Sequence, residues 1–124
     1  MLLYTGIART GEKLARGYVE DILAKEKQLV RMHAMVKESI EILMDGDLED
    51  FGLLLDEAWQ EKHNLSGKVS NSCVDEIYAT PLSSGALGGK LSGAGGGGFL
   101  LLYVPHEKQT DIKKKTSPFA VCAI

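Results

Sequence analysis

Glycine is concentrated in one short stretch of this chain, and that stretch limits the possible folds more than any other feature. Eight of the 14 glycines lie between Gly85 and Gly98. Glycine loses more backbone entropy on ordering than any other residue, so an ordered cluster indicates positions where no side chain fits or where φ is positive. Flexible linkers are also glycine-rich, but they contain serine and other polar residues and join two domains. Apolar segments flank this cluster and little chain follows it, so we place the glycines inside the fold.

Length and composition indicate one globular domain. The chain has 124 residues, of which 44% are hydrophobic and 25% charged, close to globular averages. We predict a single domain over residues 1–124. The net charge of −3 argues against nucleic acid or an anionic membrane as the main partner. The longest apolar run, residues 99–104, is too short to cross a bilayer, and residues 1–6 lack a signal-peptide core, so we expect a cytoplasmic protein.

The cysteines and histidines form no recognisable metal-binding or disulfide pattern. Cys73 and Cys122 are far apart and lack C-x-x-C spacing, which favours two free thiols, although the sequence leaves their pairing open. His33, His63 and His106 have no ligand partner one helical turn away. We therefore expect no metal site in this chain.

The N-terminal part is predicted to be helical after one short strand. Residues 2–5 favour a strand, and Thr10 can cap a helix that begins near Gly11. An apolar stripe with a spacing of seven then predicts one long helix or two helices with a break. The stripe consists of Ile22, Leu29, Val36 and Leu43.

Local capping signals predict two further helices. Gly46 suits the left-handed position just after a helix, and Asp47 can cap the next one, whose apolar face runs over residues 48–62. Ser72, with Asp75 three residues later, has the pattern of another helix N-terminus.

The C-terminal part alternates strand and loop patterns. Residues 86–91 favour a strand, residues 93–98 a loop, and residues 99–104 a strand buried on both faces. A surface helix at 106–115 and a final strand at 119–124 complete the pattern. The order predicts an α+β domain with helices packed on one face of a small antiparallel or mixed sheet.

Residues 93–98 contain G-x-G-x-x-G, but the known nucleotide-binding loops do not fit this context. A dinucleotide fingerprint begins a helix, whereas a strand pattern follows Gly98. A P-loop requires Gly-Lys-Ser/Thr, and here Lys90 is followed by Leu91. The protein-kinase loop lies between two strands, but no V-A-I-K, H-R-D or D-F-G element follows this one.

Two physical interpretations of the loop remain open at this point. Successive glycines let backbone N–H groups converge on an anion such as a phosphate. They equally let another backbone segment pack at short range. Composition alone favours neither.

The longer run from Gly85 to Phe99 resembles the third motif of the GHMP kinases, the superfamily of galactokinase, homoserine kinase, mevalonate kinase and phosphomevalonate kinase. Within it, the chain is most similar to the sugar kinases that act on D-glycero-D-manno-heptose 7-phosphate. The resemblance runs from about Leu2 to Pro105. The other stretches that agree are 4–9, 45–48 with 51–52, 58–59 with Lys62, and 68–71 with Asp75.

This resemblance implies the C-terminal lobe of a two-lobed kinase, with an α+β fold related to the ferredoxin arrangement. The family's N-terminal lobe supplies the main phosphate loop, roughly G-L-G-S-S-A, and the acidic residues for catalysis and magnesium, and no such run occurs here. We therefore expect ATP and Mg²⁺ to serve the complete kinase, with no catalytic residue or metal ligand in this chain. Because phosphoryl transfer depends on positioning and charge neutralisation by both lobes, we expect no activity from this chain alone.

The resemblance also implies candidate site residues. The backbone of the loop would face the phosphoryl-acceptor region. It consists of Gly93, Ala94, Gly95, Gly96, Gly97 and Gly98. Possible substrate-binding side chains are Lys90, Ser92, Thr5 and Arg9. A strand lysine facing solvent and an exposed arginine at a helix entrance are the simpler alternatives.

Two features of the sequence depart from the family pattern. Pro81 stands where a helix would continue towards Gly85, and the tail from about Gln109 differs, so residues 116–124 could pack differently or fray.

Two other functions stay open. The chain could instead be a stand-alone module that binds nucleotide or sugar phosphate. It could also be an interaction domain that pairs with another chain, or with itself, through an unusually apolar face that the other lobe would cover.

Overall fold

The computed structural model describes residues 1–8 and 22–119, which form three strands and four α-helices. The strands are β1 (Leu2–Tyr4), β2 (Gly88–Leu91) and β3 (Phe99–Tyr103). The helices are α1 (Glu26–Asp45), α2 (Leu48–Leu65), α3 (Ser72–Ser83) and α4 (Gln109–Thr116). Short 3-10 turns at Leu23–Lys25 and His106–Lys108 precede α1 and α4.

Most of the predicted apolar stripe lies in one helix, and two other predicted elements fall outside the described residues. Leu29, Val36 and Leu43 belong to α1, which has no break, whereas Ile22 lies before it. The helix expected to begin near Gly11 with a Thr10 cap is outside the described part of the chain. So is the strand predicted at 119–124, apart from Phe119.

The strands form one antiparallel sheet in the order β1–β3–β2. Leu100 of β3 pairs with Leu3 of β1 on one side and with Leu91 of β2 on the other. These three leucines are buried at the centre of the core, together with residues of α2, α3 and α4. The remaining core residues are Trp59, Val69, Val74, Ile77, Tyr78, Ala86, Leu102, Val104 and Ile112. The architecture confirms the predicted α+β class, with helices against one face of a small antiparallel sheet.

The apolar run at 99–104 does not form a strand buried on both faces, and that prediction is wrong. Leu100 and Leu102 are buried, whereas Phe99 and Leu101 are 42% and 40% exposed. Successive side chains of a strand point to opposite faces, and this antiparallel sheet packs its main core on only one of them. Hydrophobicity could not distinguish the faces because all four residues are apolar.

Helix α2 approaches strand β2 so closely that backbone meets backbone. A Cβ on Gly88 would overlap the carbonyl oxygen of Gly52 and lie 2.9 Å from the Asp56 Cβ. The Tyr78 hydroxyl joins the same elements, because it hydrogen-bonds to Asp56 and lies 3.1 Å from the Gly89 carbonyl oxygen. Burial, followed by the Asp56 carboxylate, raises the pKa of Tyr78 above its ordinary value. The contact fixes α2 along the β2 edge of the sheet.

The turns between helices differ in detail from the sequence prediction. Asp47 caps α2 as expected, with its side chain accepting a hydrogen bond from the Glu49 N–H at 3.0 Å. Gly46 is extended, with φ −95°, and not left-handed; a Cβ there would lie 2.7 Å from the Ile42 Cα. The cap of α3 is Asn71, which accepts from the Val74 N–H at 3.1 Å, and not Ser72.

Helix α1 pairs with α2 but leaves many apolar side chains exposed. Arg31 of α1 joins the two helices through an ion pair with Glu57 of α2, and it also pairs with Glu38 of its own helix. The apolar residues of α1 that are more than half exposed are Val30, Val36, Ile40, Leu43 and Met44. In the described ranges, the helices fall short of the length and hydrophobicity that a membrane crossing needs.

We expect Gly88→Ala to destabilise the domain strongly. The new Cβ would overlap the Gly52 carbonyl oxygen, and two backbone elements cannot separate without disturbing the core. Overpacking of this kind costs about 3 kcal/mol or more where the backbone must move. Urea unfolding measures the loss, with Gly67→Ala as the control, because nothing lies within 4 Å of a Cβ on Gly67. Equal stability of the two variants would contradict the close approach.

Candidate functional site

The glycine-rich loop that connects β2 to β3 is held against two other segments of the chain. The Gly96 N–H donates to the Val69 carbonyl oxygen at 2.6 Å, and the Asn71 Nδ2 donates to the Gly96 carbonyl oxygen at 3.2 Å. The Gly98 N–H donates to the Ile7 carbonyl oxygen at 3.0 Å. The loop is therefore part of the packed structure, fixed at its middle and at its end.

Thr5 fixes the end of the loop where it enters β3. Its buried hydroxyl lies 2.9 Å from both the N–H and the carbonyl oxygen of Gly98 and can accept from the first and donate to the second. The Thr5 N–H also donates to the Gly98 carbonyl oxygen, at 2.9 Å. The side chain of Thr5 thus positions the loop, and its contact with a substrate stays a prediction.

All five glycines of the loop have positive φ, and close packing is a second constraint on two of them. A Cβ on Gly95 would lie 2.6 Å from the Val69 carbonyl oxygen, and a Cβ on Gly97 would lie 2.6 Å from that of Ile7. Gly93 and Gly98 have φ values of 77° and 100°, and no atom of the described residues lies within 4 Å of their Cβ positions. Two glycines therefore admit another backbone segment, as one interpretation expects, and Gly93 and Gly98 border open space. The binding of an anion to the loop stays a prediction.

A buried lysine, which the sequence reasoning did not assign to the site, holds the start of the loop. Lys62 of α2 is only 7% exposed, and its ammonium donates to the carbonyl oxygens of Leu91, at 3.3 Å, and Gly93. The available signal was a lysine on the apolar face of a predicted helix, because lysine is almost never fully buried without specific partners. An ammonium has three N–H donors, so two carbonyls leave one for a further acceptor.

The surroundings of Lys62 lower the pKa of its ammonium group. Burial removes water from the ammonium, and the nearby Lys90 adds repulsion between like charges. Together they lower the pKa of Lys62 from 10.5 to about 8. The group is mostly charged at neutral pH and loses that charge under mildly alkaline conditions.

Lys62 lies at a cavity that is lined by three of the predicted site residues. Lys90 of β2 and Ser92 line it together with Gly93, and its volume is about 450 Å³. Its apolar wall consists of Met32, Leu55 and Leu101. The structure therefore brings Lys90 and Ser92 together at the start of the loop, and places Thr5 at its end.

Other sequence candidates are not part of this cluster. Arg9 and Cys122 lie outside the described residues, and Cys73 is an exposed free thiol. Within residues 1–8 and 22–119, no three His, Cys, Asp or Glu side chains come together as a metal site.

Comparison with known families identifies the lobe. Residues 27–115 match the model of the GHMP kinases C terminal family, which is most of the chain. The chain belongs to the GHMP kinase C-terminal family. The resemblance inferred from the glycine-rich motif is thereby confirmed.

Two curated relatives are sugar kinases. The chain is 32% identical over 117 residues to D-glycero-alpha-D-manno-heptose 7-phosphate kinase of Campylobacter jejuni, and the match covers 92% of this chain and 34% of that protein. It is 30% identical over 127 residues to the bifunctional fucokinase/GDP-fucose pyrophosphorylase of Arabidopsis thaliana, covering 97% of this chain and 12% of that protein. The chain thus spans about a third or less of the length of these relatives.

Solved structures of GHMP kinases have the same fold. The mevalonate kinase of L. major, solved with R-mevalonate, superimposes with a TM-score of 0.79 and 26% identity, over 94% of this chain and 37% of that chain. The mevalonate kinase of Methanococcus jannaschii gives a TM-score of 0.78 and 25% identity, over 95% of this chain and 35% of that chain.

We expect the stability of the domain to rise with pH in a way that depends on Lys62. Below pH 8 both the folded and the unfolded chain hold the proton, so folding must bury the charge. Between pH 8 and the unfolded value of 10.5, the folded chain has lost the proton while the unfolded chain keeps it, and the free energy of unfolding increases. Relative to Lys62→Met, the native chain should gain about 1.5 kcal/mol from pH 8 to about 9.5.

Urea unfolding at a series of pH values measures both proteins. Tyr78 is present in both, so its opposite effect above about pH 10 cancels in the difference between the two curves. Parallel curves for the native chain and Lys62→Met would show that Lys62 is not buried as a charged group.

Proposed function

We propose that this chain is the C-terminal lobe of an ATP-dependent sugar kinase, in which the glycine-rich loop lies beside the phosphoryl-transfer site. The observation that carries the proposal is the loop itself, since its backbone is fixed by Val69, Ile7 and Thr5 while Gly93 and Gly98 face open space. Membership of the GHMP kinase C-terminal family and the two sugar-kinase relatives support it.

The chemistry of phosphoryl transfer suits a rigid glycine backbone. The transferred group carries charge on several oxygens, and catalysis consists mainly of positioning and electrostatic stabilisation. The N–H groups of Gly96 and Gly98 already donate within the chain, but a fixed loop whose one side chain is the methyl group of Ala94 still admits a phosphoryl group close to its backbone. We assign ATP and Mg²⁺ to the complete kinase, and no side chain of this chain to the metal or to proton transfer.

The acceptor that we propose is a heptose phosphate. The match to the heptose 7-phosphate kinase of Campylobacter jejuni covers 92% of this chain. ATP-dependent sugar phosphorylation would take place in the cytoplasm. The comparisons do not favour a stand-alone binding module or an interaction domain.

We propose that the apolar side chains on α1 contact the remainder of the kinase. Val30, Val36 and Ile40 are each more than half exposed. Val36 and Ile40 are four residues apart and share one face of α1, and an exposed apolar face of this kind marks an interaction site. The N-terminal lobe is the partner that the family architecture provides.

A chimeric kinase tests the proposed function. Residues 1–124 replace the matching C-terminal third of the Campylobacter jejuni heptose 7-phosphate kinase, and ATP-dependent phosphorylation of heptose 7-phosphate is measured. We expect activity from the chimera and none from the 124-residue chain alone. A chimera that is folded, as judged by its thermal unfolding, and inactive would contradict the proposal.

A matched pair of loop variants in the chimera tests the position of the loop. Ala94 has no positive φ, so Ala94→Glu and Ala94→Gln avoid backbone strain and differ only in charge. A carboxylate near a phosphoryl group is repelled by about 4 kcal/mol at 4 Å and an effective dielectric constant near 20. We expect Ala94→Glu to be roughly a thousandfold less active than Ala94→Gln. Equal rates would place the loop away from the reaction.

A further inference from the structure

The cavity beside the start of the loop carries positive charge without a compensating acid. Its polar lining consists of Lys62, Lys90, Ser92 and Gly93, and no aspartate or glutamate is among the described residues that line it. The chain as a whole is acidic, with a net charge of −3, so this concentration of positive charge is local.

Lys62, Lys90 and Ser92 have N–H or O–H groups that donate no hydrogen bond to the described residues. The ammonium of Lys62 uses two of its three N–H groups on the carbonyls of Leu91 and Gly93. Within the described part of the chain, the side chains of Lys90 and Ser92 make neither a hydrogen bond nor an ion pair. At least three donor groups, two of them charged, therefore line one cavity.

An anion between the ammonium groups of Lys62 and Lys90 would replace the repulsion between them with attraction of both to a negative charge. Lys62 and Lys90 repel each other at present, and this repulsion contributes to the lowered pKa of Lys62. Charge-assisted hydrogen bonds from ammonium to phosphate oxygens are about twice as strong as neutral ones. A phosphate monoester is close to a dianion at pH 7 and therefore matches two positive charges.

The size and apolar wall of the cavity favour an organic phosphate over a bare ion. The volume of about 450 Å³ is within the range of small-molecule sites and leaves room for a carbon skeleton. Met32, Leu55 and Leu101 would cover that skeleton. Ser92 and Gly93 lie at the start of the glycine-rich loop, so a bound molecule would extend along it.

We propose that this two-lysine cavity binds a phosphate monoester, and that in the kinase it holds the phosphate which the sugar acceptor already carries. The second part rests on the proposed function. Lys62 both positions the loop and contacts the phosphate, whereas Lys90 and Ser92 act on the phosphate alone.

Lysine side-chain NMR on the 124-residue chain tests the cavity directly. The chain is labelled with ¹³C-lysine, and the Lys62 Cε shift is followed against pH in inorganic phosphate and in chloride of equal ionic strength. A bound anion stabilises the charged ammonium, so we expect phosphate to raise the pKa of Lys62 by about one unit or more. An unchanged pKa would overturn the proposal.

Surface variants avoid the folding role of Lys62. Lys90→Gln and Ser92→Ala each remove a proposed phosphate donor, and we expect Lys90→Gln to weaken phosphate binding roughly tenfold. Lys37→Gln is the control, because it removes the same charge from an exposed position on α1 that pairs with Glu41. Equal weakening by Lys90→Gln and Lys37→Gln would mean non-specific attraction and would overturn the site.

Two competitors distinguish the possible sources of the phosphate. A hexose 6-phosphate should displace inorganic phosphate from Lys62, whereas the neutral hexose should not. Displacement by ATP in preference to the sugar phosphate would overturn the assignment to the acceptor. The two tests fail separately. An active chimera without phosphate binding to the cavity removes only this inference. Phosphate binding with an inactive chimera removes the proposed function and the assignment to the acceptor, and leaves the phosphate site itself.

Discussion

Backbone segments in this lobe approach one another more closely than side chains permit, and the rest of the structure depends on those approaches. The edge strand β2 lies against the backbone of α2 because Gly88 carries no Cβ, and the loop lies against Val69 because Gly95 carries none. These contacts join parts of the chain that are distant in sequence. These glycines are held in one conformation, because the space that their missing side chains leave is filled by another backbone segment.

Lys62 depends on that arrangement. Only when α2 lies along the edge of the sheet can a lysine on its apolar face reach the carbonyl oxygens of Leu91 and Gly93. The same burial lowers the pKa of Lys62 and leaves the ammonium in a cavity with Lys90. A single side chain thereby connects the stability of the domain, the position of the loop and the electrostatics of the cavity.

The differences between prediction and structure have specific physical causes. The run at 99–104 was expected to be buried on both faces, but apolar residues on the two faces of a strand look alike in sequence, and only packing exposes Phe99 and Leu101. Ser72 and Asn71 are both good helix caps, and Asn71 has the extended backbone of the cap position while its side chain also bonds to Gly96 of the loop. Lys62 was predicted to lie on a helix face and to match the family, but not to belong to the site, because its partners are backbone carbonyl oxygens and these carry no sequence signal.

The sequence by itself determined the helices and strands of the described residues, the α+β class and, through the glycine-rich motif, the family, because periodicity, caps and glycine spacing are local properties. The tertiary structure decided which glycines admit another backbone, which face of β3 is covered, and that Lys62, Lys90 and Ser92 share one cavity. Those features depend on distances between segments up to about 90 residues apart, such as Thr5 and Gly98, and only the folded chain sets such distances.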